Sequence, residues 1–459
     1  PPKDYCGWVD RIVTPFCHDG GMNSAATLFN TQSVNHRFEL QPKHHLIRRL
    51  ELPSGEYLST IPRPKKPEDD LLASWWKSYL TGKASPTNQA ATGSLKITEL
   101  FCGPGGLAQG VKQACHELGY SFDSLAAVDT DGDAANIYQL NHGTNYPTDA
   151  SITDLVHYKT KGEGDKFQFA GQPKIVSQVF ANQIAGTNLL LAGPPCQGHS
   201  NLNNKTRRND PRNELYLTVP ALAIAADIPG VIIENVTAVV HDHSGVVKKT
   251  KQLFENAGYT VTTGVLKASK LGWPQTRGRF FMVARKDTAP TPIPEVAAGL
   301  EREPLGVLWA IEDLIGREHD DFLDRRPKES ADTIKRLQWF TDHPGALDLP
   351  NSERPDCHKN GTTYTSCYGR MDSAKPAPTL TTGFMTPGRG RFIHPTEARV
   401  LTPREAARIQ GFPDTYQWVL PGAPRPKIQL IAKWLGDAVP MPLGYAATLS
   451  LLGPGPLPF

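Results

Sequence analysis

The chain of 459 residues carries 49 lysines and arginines against 46 aspartates and glutamates, a formal net charge of +3. That balance is too small to announce a nucleic-acid partner by itself, and the length allows two or three domains with a core of ordinary size. Seven cysteines with no CxxC pair exclude a simple disulfide or zinc framework and favour a reducing, intracellular compartment; no run of about 18 apolar residues predicts a membrane span, and the opening PPKDYCGWVD has no signal-peptide character.

Residues 1–95 are mixed. HRFELQPKHHLIRRLELPSGEYLS alternates as strands do and holds a Pro-Ser-Gly turn, LLASWWKSYL reads as a short helix, and TGKASPTNQAATGS is small and polar like a linker. A boundary is expected near residue 95. From Leu95 the pattern becomes short apolar runs alternating with helix-length segments, LKITELF, GLAQGVKQACHELG, SLAAVD and DAANIYQLNH, and it continues through NLLLAG, GVIIENV and RFFMVARK. Strand-helix alternation predicts an α/β, doubly wound, mostly parallel sheet. After Arg285 the alternation gives way to prolines and acidic residues over 288–372, as a second, less regular lobe would.

In ITELFCGPGGLAQG a strand runs into Gly103, Gly105 and Gly106, so the backbone can turn tightly and approach a ligand before a helix starts. Asp129 closes the next strand, about 20 to 25 positions on, where an acidic side chain can accept hydrogen bonds from ribose hydroxyls. The spacing is not GxGxxG and no Walker lysine follows, which favours S-adenosylmethionine over a dinucleotide or a nucleoside triphosphate. A purely structural turn is the alternative.

LLLAGPPCQGHSN places Cys196 just past a buried strand that two prolines end. Taken alone, such a cysteine is more often a structural core residue. Glu234 and Asn235 follow another apolar strand, GVII, and so fall at the same sheet edge; a carboxyl there can protonate or hydrogen-bond a ring nitrogen while a thiolate attacks the ring. The alternative for Asn235 is a helix N-cap. In WPQTRGRFF, Gln275, Arg277 and Arg279 stand at alternate positions, and period two is expected to put them on one face as guanidinium forks for phosphate and base oxygens. Lys205, Arg207, Arg208 and Arg212 lie among small polar residues after Cys196, as a loop closing on phosphates would need.

Taken in order, FCGPGG, GPPCQG, ENV, QTRGR, RVLTPREAARIQGFPDTY and GDAVP resemble the C5-cytosine DNA methyltransferases of bacterial type, from about residue 96 to 450. The resemblance implies a Rossmann-like, class I S-adenosylmethionine-dependent catalytic domain over 96–287 completed by 425–459. It further implies a target-recognition lobe and hinge over 288–424, with 1–95 as an N-terminal extension of open role. Cys196 would be the nucleophile that adds to cytosine C6, Glu234 the group at N3 and the exocyclic amine, and Arg277 or Arg279 the holder of O2 and nearby phosphates. Phe101, Gly103, Gly105 and Gly106 would line the methionine end of the cofactor and Asp129 its ribose. Ile152 would touch the adenine, and Pro194, Asp437, Ala438 and Val439 would complete the site. Gln197, Ser200, Lys205, Arg207, Arg208, Arg212, Gln275, Arg389 and Arg391 would contact DNA.

The implied reaction moves a methyl group from S-adenosylmethionine to C5 of a cytosine flipped from duplex DNA, leaving S-adenosylhomocysteine and needing no metal. The implied partners are double-stranded DNA, bound by a monomer, and a cognate restriction endonuclease; the implied location is the cytoplasm, at the nucleoid. Glu99 replaces the commoner Asp before the loop, Ser151 a common acidic residue, Asp437 the usual Asn and His199 a frequent Phe. A silent DNA-binding relative is disfavoured because Cys196, Glu234, Arg277 and Arg279 are all present. The tRNA-modifying branch is disfavoured by the long segment after Arg285 and by the DPRN stretch.

Overall fold

Side-chain alternation along the strands decides the architecture, and it is visible in a computed structural model that describes residues 34–41, 45–65, 67, 68, 70–83, 87, 88, 93–195, 215–317, 321–359 and 366–458. An antiparallel sheet comes first: β1 (Asn35–Leu40), β2 (His45–Leu52), β3 (Gly55–Pro62) and the two-residue β4 (Thr87–Asn88), in that order, with α1 (Leu71–Leu80) inserted before β4. Asp70 caps α1 by accepting from Leu72 N.

The main sheet is built from β5 (Gly93–Leu100), β6 (Tyr120–Asp129) and β7 (Tyr146–Asp149), linked by α2 (Gly106–Leu118) and α3 (Gly132–His142). Two short antiparallel ribbons follow. In them β8 (Val156–His157) pairs with β11 (Lys174–Ile175), and β9 (Thr160–Lys161) with β10 (Gln168–Phe169). After α4 (Gln178–Gln183) the chain returns to the sheet as β12 (Leu189–Ala192), then α5 (Thr218–Ala225), β13 (Gly230–Val236), α6 (Val246–Asn256), β14 (Thr260–Lys267) and β15 (Gly278–Arg285). The seven strands lie in the order β14-β15-β13-β12-β5-β6-β7. Only β15 runs against the rest, as expected of a mostly parallel sheet.

Leu189 and Leu191 of β12 and Ile232 of β13 face one apolar cluster, while Leu190, Ala192, Val231 and Ile233 face another. Period two thus buries both faces, which is why these strands read as unbroken apolar runs. One face is covered by α5 and α6, through Val219, Leu222, Leu253 and Phe254. The other is covered by α2 and by α13 (Met441–Leu452), a helix buried along all twelve residues. The first three strands and α1 join that second cluster through Leu46, Leu50, Trp75 and Trp76. A buried ion pair ties them in. Arg48 lies 2.7 Å from Glu117 of α2, and Tyr445 of α13 donates to the other oxygen of the same carboxylate.

Between β15 and α13 come α7 (Ile293–Gly299), α8 (Val307–Ile311), α9 (Ala331–Asp342), α10 (Asp356–Lys359), α11 (Pro403–Gln410) and α12 (Ile428–Asp437). Among the described residues this stretch holds isolated bridges but no strand. Leu337, Phe340, Leu349 and Ile393 form a small cluster of their own, whereas Trp309, Leu401 and Ile409 belong to the large one. The segment RVLTPREAARIQ folds around α11: Thr402 and Glu405 form a reciprocal capping box, Arg399 pairs with Glu405, and Arg408 bridges Asp313 and Asp414.

Candidate active site

The chain lays β5, β6 and β7 outward and then returns to place β12 on the far side of β5, so strand order reverses between β5 and β12. Ligands of open α/β sheets bind beyond the strand ends at such a switch point. A cleft of about 210 Å³ opens there.

Its first wall is the loop after β5. Phe101 holds a positive φ of 56°, a strained conformation for an aromatic residue that only a well-braced loop sustains. Gly105 follows at φ +92°, and a Cβ on Gly106 would stand 2.9 Å from Val439 O, so no side chain fits where the start of α2 meets the C-terminal segment. Phe101, Gly103, Gly106, Asp129, Asp437, Ala438 and Val439, all expected from sequence, line this cleft together with Glu234. Gly105 is its helix cap. Ile152 and Pro194 stand apart from this lining: Ile152 is buried among Leu100, Leu190 and Phe180, and Pro194 lies in the turn after β12.

Asp129 ends β6. Its carboxylate accepts from Gly103 N at 2.8 Å and from Asp131 N at 2.9 Å, which braces the loop and leaves further lone pairs for a ligand. Asp131 caps α3 through Ala134 N and accepts from Trp434 Nε1 at 3.0 Å, so α12 closes the opposite wall. Glu99 lies at the floor, 1 % exposed; burial pushes its carboxyl up to about 8, and its Oε2 has no hydrogen-bond partner. Among the described residues, the side chains lining the cleft include five carboxyl groups, Glu99, Asp129, Asp131, Glu234 and Asp437, against the single cation Lys433. Such a lining attracts hydroxyls and positive charge and repels phosphates.

Glu234 stands near the end of β13 with Arg279 Nε 2.8 Å from its Oε1. Burial raises its carboxyl above the usual range, and Arg279 and Arg277 oppose that only in part, which suits a group that must take and return a proton. Asn235 next to it is no helix cap: its Nδ2 donates to Pro194 O at 3.2 Å and anchors the Gly-Pro-Pro turn. Tyr216, fully buried beside this site, has a hydroxyl with no partner, and the charge of Glu234 helps to keep it un-ionised.

The expectation that Gln275, Arg277 and Arg279 share one face is corrected. The strand starts only at Gly278, so period two does not hold across the three. Arg277, 2 % exposed, donates to Ala438 O at 2.7 Å and also to Gly436 O and Leu380 O. Gln275, wholly buried, donates to Ile409 O and Gln410 Oε1, and Gln410 in turn donates to Leu435 O. Both side chains therefore brace the Gly436–Val439 wall, and only Arg279 reaches Glu234. Gln275 is too deep to meet a ligand outside. Arg391 is likewise engaged within the protein, with both oxygens of Asp348 at 2.9 Å and with Leu347 O, whereas Arg389 is exposed.

Cys196, Gln197, Ser200, Lys205, Arg207, Arg208 and Arg212 lie outside the described residues, which run to Pro195 and resume at Leu215. Among the described residues no cluster of metal-ligating side chains occurs, and no helix is long and apolar enough to cross a membrane. Sequence reasoning overlooked Lys433, Trp434 and Tyr216; a tryptophan inside an amphipathic helix gives no sign that its indole will cap another helix.

Residues 95–452 match the family of C-5 cytosine-specific DNA methylases. The chain is 36 % identical over 378 residues to the Type II methyltransferase M1.BsuMI of Bacillus subtilis, covering 82 % of this chain and 84 % of that one. It is 29 % identical over 364 residues to the Type II methylase M.HgiDII of Herpetosiphon aurantiacus, covering 77 % and 94 %. In fold it resembles a prophage-encoded protein of E. coli described as a DNA modification methyltransferase, with a TM-score of 0.52 at 20 % identity over 78 % of this chain and 98 % of that chain.

Proposed function

This chain belongs to the C-5 cytosine-specific DNA methylases and is a DNA cytosine-5 methyltransferase, and we propose that it takes the methyl group from S-adenosylmethionine and delivers it to a cytosine flipped out of duplex DNA. The observation that carries this reading is the meeting, at one switch point, of a carboxyl-rich cleft with the buried Glu234 carboxylate and its partly exposed partner Arg279. The cleft fits a cationic nucleoside: Asp129 offers lone pairs for ribose hydroxyls, Gly106 leaves space where a Cβ would clash, and the lining is rich in carboxyl groups. When bound, the cofactor supplies an electrophilic methyl group on a sulfonium.

Cytosine C5 is too weak a nucleophile to attack that methyl unaided. In our reading Cys196, only a few residues beyond β12, adds as thiolate to C6, and the ring gains enamine character at C5. Glu234, already shifted toward its protonated form, hydrogen-bonds N3 and the amine so that charge built on the ring is neutralised. Arg279 holds the Glu234 carboxylate in place, and in this reading its guanidinium meets O2. A base then removes the C5 proton and the thiol leaves. Flipping costs a few kcal/mol, which phosphate contacts from Lys205, Arg207, Arg208 and Arg212 would offset. The names of the relatives fit a role beside a restriction endonuclease of the same specificity.

Bisulfite sequencing of host DNA after expression tests both activity and target. Cys196→Ser should abolish methylation yet keep cofactor and DNA binding, because a hydroxyl of far higher pKa cannot supply the attacking anion. Methylation at an undiminished rate by that variant overturns the mechanism.

A further inference from the structure

Resting on the duplex-DNA reading above, we infer that Glu329 is a specificity-determining residue: it stands in a basic groove that seats the duplex beside the carboxyl-rich cleft, and its carboxylate accepts a hydrogen bond from N4 of one cytosine other than the target.

A groove of about 740 Å³ lies between the segment 322–329, the turn at 382–387 and helix α12. Ile428, Gln429 and Ala432 of α12 face it, while Lys433, Trp434 and Asp437 face the carboxyl-rich cleft. Helical spacing makes these two adjoining faces of one helix, so groove and cleft are neighbours divided by a width of about 10 Å. The turn packs closely on the cleft wall, since a Cβ on Gly436 would collide with the backbone of Thr381 and Thr382. On the other side Arg404 of α11 pins the segment by pairing with Asp321 and Asp324.

Among the described residues the groove is lined by four cationic side chains, Arg325, Arg326, Lys328 and Arg425, all exposed, and by one carboxyl, Glu329. Arg326 lies 3.5 Å from Glu397 and Arg425 sits over the Phe322 ring, whereas Arg325 and Lys328 enter no ion pair with the described residues. Arg389 folds against Gly383 at the lip. In a chain of net charge only +3, such a concentration of cations on one surface suits a row of phosphates. Glu329 departs from that pattern. None of the four cations pairs with it, its Oε1 is buried without a hydrogen-bond partner, and burial raises its carboxyl above the usual range. A carboxylate among phosphate-binding cations weakens backbone binding, so its use there is to meet a donor. In the major groove guanine and thymine present only acceptors and adenine sets its N7 acceptor beside its amine, whereas cytosine presents the N4 donor alone. Glu329 thus selects cytosine by repelling the other bases as well as by bonding to this one. One helix width corresponds to about three base steps along a strand, which places the cytosine that is read close to the one that is methylated.

Bisulfite sequencing of host DNA gives the sequence context methylated by the full chain and by its Glu329→Gln and Glu329→Ala variants. We expect both variants to lose roughly tenfold in discrimination at one cytosine within about four base pairs of the target, with the other positions read as before. Synthetic duplexes then test the contact itself. Replacing that cytosine by pyrimidin-2-one, which lacks the amine, should slow the natural chain about tenfold and Glu329→Ala by far less. Arg325→Ala, Lys328→Ala and Arg425→Ala combined should keep the methylated sequence and flatten the salt dependence of duplex binding by about one unit of slope for each phosphate released. An unchanged sequence in both Glu329 variants, relaxation spread over every position, or a salt slope equal to that of the natural chain overturns the inference. Methylcytosine absent with the natural chain instead overturns the function proposed above, and the salt slopes then decide the groove by themselves.

Discussion

Arg277 and Ala438 lie 161 positions apart in the chain and 2.7 Å apart in the fold, guanidinium nitrogen to carbonyl oxygen. That bond, with those to Gly436 O and Leu380 O, makes Arg277 a support of the Gly436–Val439 wall of the cleft, while Arg279, two residues on, engages Glu234. The two arginines should therefore fail differently. Arg277→Lys loses the planar fork and should cost roughly 2 to 4 kcal/mol of stability together with cofactor affinity. Arg279→Ala should leave the melting temperature nearly unchanged and shift the pH dependence of turnover, because Glu234 loses the charge that holds its carboxyl down. Thermal melts and pH–rate profiles of both variants check this, and indistinguishable behaviour would refute the division of labour.

His142 packs beneath the glycine loop, where a Cβ on Gly105 would collide with its Nε2. Burial, with Lys112 nearby, pushes its pKa down to about 3, and burial beside Arg48 and Arg302 pushes His36 down to about 2. Between those values and about 6.5 the unfolded chain binds protons that the folded chain refuses. Stability is thus complete above about 6.5 and falls by about 1.4 kcal/mol per pH unit for each histidine below it. Denaturant melts of the natural chain and His142→Gln at neutral and mildly acidic pH should show a shallower acid loss in the variant; parallel losses would place the acid sensitivity elsewhere.

The Arg48–Glu117 pair is buried on both sides, with side chains 2 % and 1 % exposed. Removing one partner leaves an uncompensated charge in the core and should cost about 3 to 5 kcal/mol, whereas replacing both by apolar residues should cost far less. A double-mutant cycle with Arg48→Met and Glu117→Leu reads this directly. The same pair bears on truncation: a chain beginning at residue 95 would expose Glu117 and the apolar cluster beneath Trp75 and Trp76, and should yield little folded protein. Recovery of a stable, active fragment would show that the first sheet is dispensable.

Charge reversal or removal at Lys205, Arg207 and Arg208 should weaken DNA binding almost uniformly across sequences and flatten its salt dependence, by roughly one unit of slope for each phosphate that is no longer neutralised. Filter binding over a range of salt concentrations measures the slope. A loss confined to one target sequence would instead make these residues readers of bases.

The site was legible where its residues are local. The strand, the glycine loop and Asp129 at the end of the next strand follow from the alternation of apolar runs, and Glu234 follows from a strand end at the same edge. What escaped was the direction in which a side chain turns once the strand stops. Gln275 and Arg277 precede β15 and reach partners more than 100 positions away, information no local period contains. The small sheet before residue 95 shows its strands in HRFELQPKHHLIRRLEL, yet nothing in that stretch announces that Arg48 pairs with a glutamate of the helix that carries the glycine loop.

Helix α13, buried along its whole length against α2 and the central strands, is made only after every strand of the sheet it covers. Until it emerges, one face of the parallel sheet and the carboxylate of Glu117 have nothing to pack against, and Arg285 lacks the carbonyls of Leu451, Gly455 and Pro456 that anchor it. A nascent chain that stops before α13 would therefore be not a weakened enzyme but an open sheet, a substrate for chaperones and proteases.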